Sequence, residues 1–195
     1  MEDNFSPQDS LQLIHSMISK TKANLRSNRI YFLLWGWVSF IAIILQFTLK
    51  VVLRYEHHYL VWLVTIPTVI FTIIYSRRTH NGHAVKTYIG ESMSNLWTGI
   101  GISFFILSLI ISSSNGGWNN AWPFFILFYG LGTFVSGRIL QFSPLVIGGI
   151  FNWALAIASI YVAYDYQLLL AATAILTSYI IPGYLLGTNK NNYGR

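Results

Sequence analysis

Histidines, carboxylates and polar groups set inside apolar runs are the residues with which this chain could do chemistry, and they are few. His80 and His83 lie three apart, a spacing that on a helix lets two imidazoles face one metal. Asn81-Gly82 between them favours a turn instead, and no cysteine or close carboxylate completes a ligand set. His57 and His58 are adjacent, so on a helix their rings diverge; beside Glu56 they read as an interfacial pair. General acid–base work needs titratable groups poised together, and only Glu91, His80 and His83 cluster at all. With no cysteine there is no disulfide, thiolate nucleophile or Cys-ligated metal. Gly99-Ile100-Gly101 lacks the further glycine of a dinucleotide fingerprint, and no phosphate-cradling loop exists. The expectation is a protein that is not an enzyme, with no cofactor and no catalytic or metal-binding residue.

Within the apolar runs no carboxylate, histidine or lysine stands near the centre, although ion-coupled transporters keep such groups there. Arg138 lies close enough to the end of its run to snorkel to the interface, where Glu91 could meet it. Asn152 is the best internal polar residue, about 12 Å into its run at 1.5 Å per residue. It can hydrogen-bond a neighbouring helix, or it can face a ligand. If a neutral or amphipathic ligand is held between helices, Asn152, Trp153, Trp97 and Arg138 are the residues expected to line its site.

Those residues must be positioned by membrane helices. The chain has 195 residues, 54% hydrophobic and only 9% charged, where a soluble domain carries about 25% charged residues. Runs poor in charge cover about 30–49, 59–75, 94–112, 122–140, 144–164 and 167–186, lengths that suit a hydrocarbon core crossed by about 20 residues. The third run needs flanking residues to reach full length. The expected fold is all-α, a compact six-transmembrane-helix bundle over residues 30–187. An amphipathic, basic N-terminal segment (1–29) precedes it and a short tail (188–195) follows. Tight turns are expected at Gln141–Ser143 and Asp165–Tyr166, and a short interfacial helix before the third span. Pro144 suits a first helical turn, whereas Pro67 and Pro182 fall inside helices and predict an opened hydrogen-bond ladder.

Lys and Arg set the orientation. Lys20, Lys22, Arg26, Arg29, Arg77, Arg78, Lys86, Arg138, Lys190 and Arg195 fall on one side of a six-span chain, and only Lys50 and Arg54 on the other. By the positive-inside rule both termini are cytoplasmic. The net charge of +6 is split among loops and forms no stripe for nucleic acid. Ser6 and Pro7 open a helix on which Leu11, Ile14, Ile18 and Leu25 share one face, which can lie on lipid or dock a partner. The expected function is that of a non-enzymatic interaction, sensory or accessory module working through its cytoplasmic face. Its expected partners are membrane lipids and a cytoplasmic protein or second copy. The rival expectation is a transporter, channel or lipid-binding protein. Small-residue pairs such as Gly132/Ser136, Gly148/Asn152 and Gly183/Gly187 permit close helix approach, within the chain or between copies.

The run Ser10-Leu-Gln-Leu-Ile-His-Ser-Met-Ile-Ser-Lys20, followed by Tyr31-Phe-Leu-Leu-Trp-Gly-Trp37, resembles the start of a group of small bacterial integral membrane proteins of the kind found in Bacteroidota. The resemblance implies a six-span fold in the inner membrane and supplies no catalytic or binding residue.

Overall fold

Apolar helix-forming runs punctuated by short polar turns fold into helices alone: among the described residues there is no strand. The computed structural model describes residues 29–80, 88–114 and 117–188. The N-terminal segment with Leu11, Ile14, Ile18 and Leu25, together with His83 and the tail beyond 188, lies outside them. Six helices follow in order: α1 (Arg29–Val52), α2 (His58–Arg78), α3 (Tyr88–Ser113), α4 (Ala121–Ile139), α5 (Ser143–Ser159) and α6 (Tyr164–Leu186). Four of them, α1, α2, α3 and α6, are long and apolar enough to cross a membrane. The α5 helix has 17 residues, about 26 Å at 1.5 Å each. It is packed between α4 and α6 rather than left to match the bilayer alone.

Neighbouring helices alternate in direction. Trp97 reaches Ser136, Phe104 packs its ring at a tilt against Phe125 and Tyr129, and Trp118 lies on Phe125, so α3 and α4 run antiparallel. Phe32 at the start of α1 meets Trp97 and Tyr179, and Tyr31 meets Tyr75. One end of the bundle therefore gathers Arg29, Arg77, Arg78, Glu91 and Arg138, and the other gathers Lys50, His58, Trp122 and Asp165.

Glycine sets the closest crossings, because a helix without Cβ atoms on its contact stripe lets a second backbone approach. A Cβ at Gly137 would fall 2.6 Å from the Val146 backbone nitrogen, and one at Gly149 would fall 2.7 Å from that of Phe134, so α4 and α5 nearly touch. Gly148 faces Ser178 and Thr177 of α6, and Gly183 faces Leu33 and Phe32 of α1. Around these crossings Ile43, Ile126, Leu145, Leu168 and Ile175 are fully buried. By contrast only 6% of the apolar window of α2 is buried and 11% of that of α3, against 56% for α6.

Prolines appear where the ladder changes. The α2 helix opens with a 3-10 segment, His58–Val64, and becomes α-helical two residues before Pro67. In α6 a π turn, Leu176–Ile180, ends two residues before Pro182, which has no N–H to offer Ser178. Pro144 occupies the first turn of α5. Three expectations shift in detail. The third helix needs no separate interfacial helix before it, because α3 is continuous from Tyr88. The α5 helix ends at Ser159, so its turn to α6 covers 160–163, and Asp165 and Tyr166 begin α6. Glu91 and Arg138 are both exposed and do not pair with each other.

Candidate functional site

The π turn Thr48–Val52 closes α1, with the Leu53 N–H donating to the Thr48 carbonyl. Gln46, one turn earlier, is carried into the protein interior, where it is 3% exposed. The 3-10 start of α2 brings His58 and Trp62 back onto it. The Trp62 indole N–H donates to Gln46 Oε1 at 2.7 Å, and Gln46 Nε2 lies 3.3 Å from His58 Nδ1. One turn beyond Gln46, the Lys50 ammonium pairs with Asp165 Oδ1 at 2.6 Å and stands 3.7 Å over the Tyr164 ring, both at the start of α6. Trp122, from the start of α4, packs on Trp62 with ring centroids 5.9 Å apart and adjoins Tyr164. Ends of α1, α2, α4 and α6 thus meet in one cluster of titratable, amide and aromatic groups.

The charges in this cluster neutralise each other. Lys50 and Asp165 are half-buried, and the carboxylate at the dipole-positive start of α6 is held by the ammonium. The imidazole of His58 is left as the neutral base that can gain a proton on acidification. No thiol lies among these residues, and among the described residues no three His, Asp or Glu side chains come close enough to hold a metal. The arrangement can bind a proton or brace helices.

A second polar group lies deep in the bundle. Asn152 is fully buried and its Nδ2 donates to Ser178 Oγ at 3.0 Å, while Ser178 donates to the Ala174 carbonyl. Asn152 Oδ1 has no protein partner. Trp97 donates from Nε1 to Ser136 Oγ at 3.2 Å, with its ring on the bare backbone of Gly132. Trp153 covers Gly130 and stacks on Phe134, with centroids 5.1 Å apart. The structure therefore brings Trp97, Asn152 and Trp153 against the Gly130–Ser136 stretch of α4, each in van der Waals contact with a neighbouring helix. Arg138 stands apart from these three: it is exposed at the end of α4, where with Gly137, Gln141, Phe142, Ser143 and Val146 it lines a surface cleft of about 360 Å³.

Sequence reasoning passed over Gln46, which sits near the end of a mostly apolar run. The signal was present: an amide in a spanning run, one turn before a lysine, needs a partner, and two histidines and a tryptophan follow within sixteen residues. Asp165 was placed in a turn, and its pairing with Lys50 depends on α1 lying beside α6. Compared with protein-family models, with curated proteins and with solved structures, the chain matches none.

Proposed function

We propose that this chain is a six-span protein of the bacterial inner membrane, with both termini cytoplasmic. In this reading it acts without catalysis, as an interaction, sensory or accessory module working through its cytoplasmic face. One observation carries the reading: many hydroxyl side chains within the helices donate to their own helix, and Trp62, Trp97 and Asn152 each donate across to a neighbouring one. Thr68, Thr72, Ser103, Ser108, Thr133 and Thr173 each donate to the carbonyl four residues back, so their protons are committed to their own helix and not offered to a solute. Where α4, α5 and α6 cross, side chains meet backbone with no room for a Cβ. Such an interior favours a scaffold over a conduit.

The compartment rests on the resemblance of the N-terminal run, and the orientation on the ten-to-two division of Lys and Arg. In this orientation Arg77, Arg78, Glu91 and Arg138, all exposed, stand on the cytoplasmic face. The segment proposed to dock the partner is the N-terminal one that carries Leu11, Ile14, Ile18 and Leu25, outside the described residues. Deletion of residues 1–28 from the full chain in its native membrane should abolish co-purification of its protein partner while leaving the bundle folded. Retention of every partner by the shortened chain would refute docking through that segment.

A further inference from the structure

Hydrogen-bond polarity around Gln46 leaves His58 a single protonation state. An indole N–H can only donate, so the group facing Trp62 at 2.7 Å must be the amide oxygen of Gln46. The amide nitrogen then faces His58, and because an NH2 group can only donate, the ring nitrogen 3.3 Å away must accept. With Nδ1 accepting, the ring hydrogen of neutral His58 sits on Nε2. His58 is therefore neutral in this arrangement, and a proton added to that nitrogen would set donor against donor.

The surroundings offer a protonated ring little compensation. Lys50 on α1 and Asp165 on α6 are the charged groups that act on His58, and Asp165 already holds Lys50 at 2.6 Å. Tyr164 adjoins Gln46 from α6, and α4 contributes Trp122, which does not titrate. From its own segment Tyr59 stands edge-on at 6.0 Å, with the exposed His57 stacked on that tyrosine. The Gln46 amide is the hydrogen-bonding group that meets the His58 ring, and it cannot turn over without setting its NH2 against the Trp62 N–H.

What this network holds is the least embedded helix of the bundle. Only 6% of the α2 window is buried, and at its start Trp62 and His58 tie it to Gln46 of α1. We propose that His58, Gln46 and Trp62 form a proton-operated latch: neutral His58 fastens the start of α2 to α1, and protonation of His58 releases it. The latch is independent of the cytoplasmic partner proposed above.

The test uses the full chain in lipid nanodiscs. Cysteines replace the exposed Leu60 on α2 and Tyr166 on α6, in a protein that has no others, and carry spin labels whose separation is measured by pulsed electron resonance. At about pH 8 a single narrow distance distribution is expected, and at about pH 5 a broader and longer one, with the change centred in the histidine range. His58→Gln should hold one distribution at both values. Gln46→Glu should also remove the response, because a carboxylate accepts from Trp62 and from protonated His58 alike. Trp62→Phe frees the amide to turn its oxygen toward protonated His58 and should weaken the response. An unchanged wild-type distribution across this range would overturn the latch. So would a response that persists in His58→Gln, a neutral substitution at a half-buried position that keeps the protein testable if the buried carboxylate of Gln46→Glu prevents folding.

Discussion

Ser136 and Trp97 show how a single polar residue works inside an apolar bundle. The indole N–H would be left without a partner in hydrocarbon, and the Ser136 hydroxyl, itself fully buried, supplies one across the α3–α4 contact at 3.2 Å. Interhelical bonds of this kind contribute only about 0.6 kcal/mol on average, because the separated helices also find partners. The Ser136→Ala variant should therefore lose on the order of 0.6 kcal/mol in reversible unfolding from detergent. In the Trp97→Phe background the same substitution should cost close to nothing. Equal losses in both backgrounds would show that the bond contributes no stability. Asn152 was legible in the sequence as an internal polar group, and its partner Ser178 was not, since the two lie on different helices whose register no local pattern reveals.

At the scale of the element, glycines decide which helices form the centre. The α4–α5 contact is set by Gly130, Gly137 and Gly149, so these two helices sit close together even though neither is among the four longest apolar ones. Gly137→Leu drives a side chain into the backbone of Val146 and should destabilise the bundle by at least the 1–3 kcal/mol typical of overpacking, about what is needed to shift thermal unfolding by several degrees. Gly99 provides the contrast. A Cβ there meets nothing within 4 Å, and replacing a mid-helix glycine with alanine gains roughly 0.5–1 kcal/mol, so Gly99→Ala should be neutral or stabilising. Similar melting of the two variants would contradict the glycine-set crossing. Pro67 and Pro182 were readable as interruptions; that one accompanies a 3-10 segment and the other a π turn depended on the neighbours of each helix.

For the whole molecule, the packing places the 3-10 turn Gly117–Asn120 and the turn at 160–163 at one end and the turn at 140–142 at the other. If α4 and α5 each cross the bilayer, these positions lie on opposite sides of it. Single cysteines at Asn119 and Tyr161, both exposed, should be modified alike by an impermeant thiol reagent applied to intact cells, and one at Gln141, also exposed, should be spared. Labelling of all three would show that α4 and α5 form a re-entrant pair instead. Arg138 near the end of α4 and the short reach of α5 make this pair the critical one for the six-span count.

The sequence by itself determined that the chain is helical and apolar enough for membrane insertion, and it determined the approximate helix limits. These follow from composition, run length and turn residues, all of which are local. It also marked Asn152 and the small-residue pairs as contact positions, since a polar atom or a missing Cβ in an apolar run has few other uses. Only the tertiary structure decided that Gly132 and Ser136 seat Trp97, that Gly183 faces α1, and that Lys50 meets Asp165 across 115 positions of chain. Gln46 gives the physical reason. Its amide has meaning only through the donor on one side and the acceptor on the other, and both come from a second helix whose 3-10 first turn sets the angle at which they arrive.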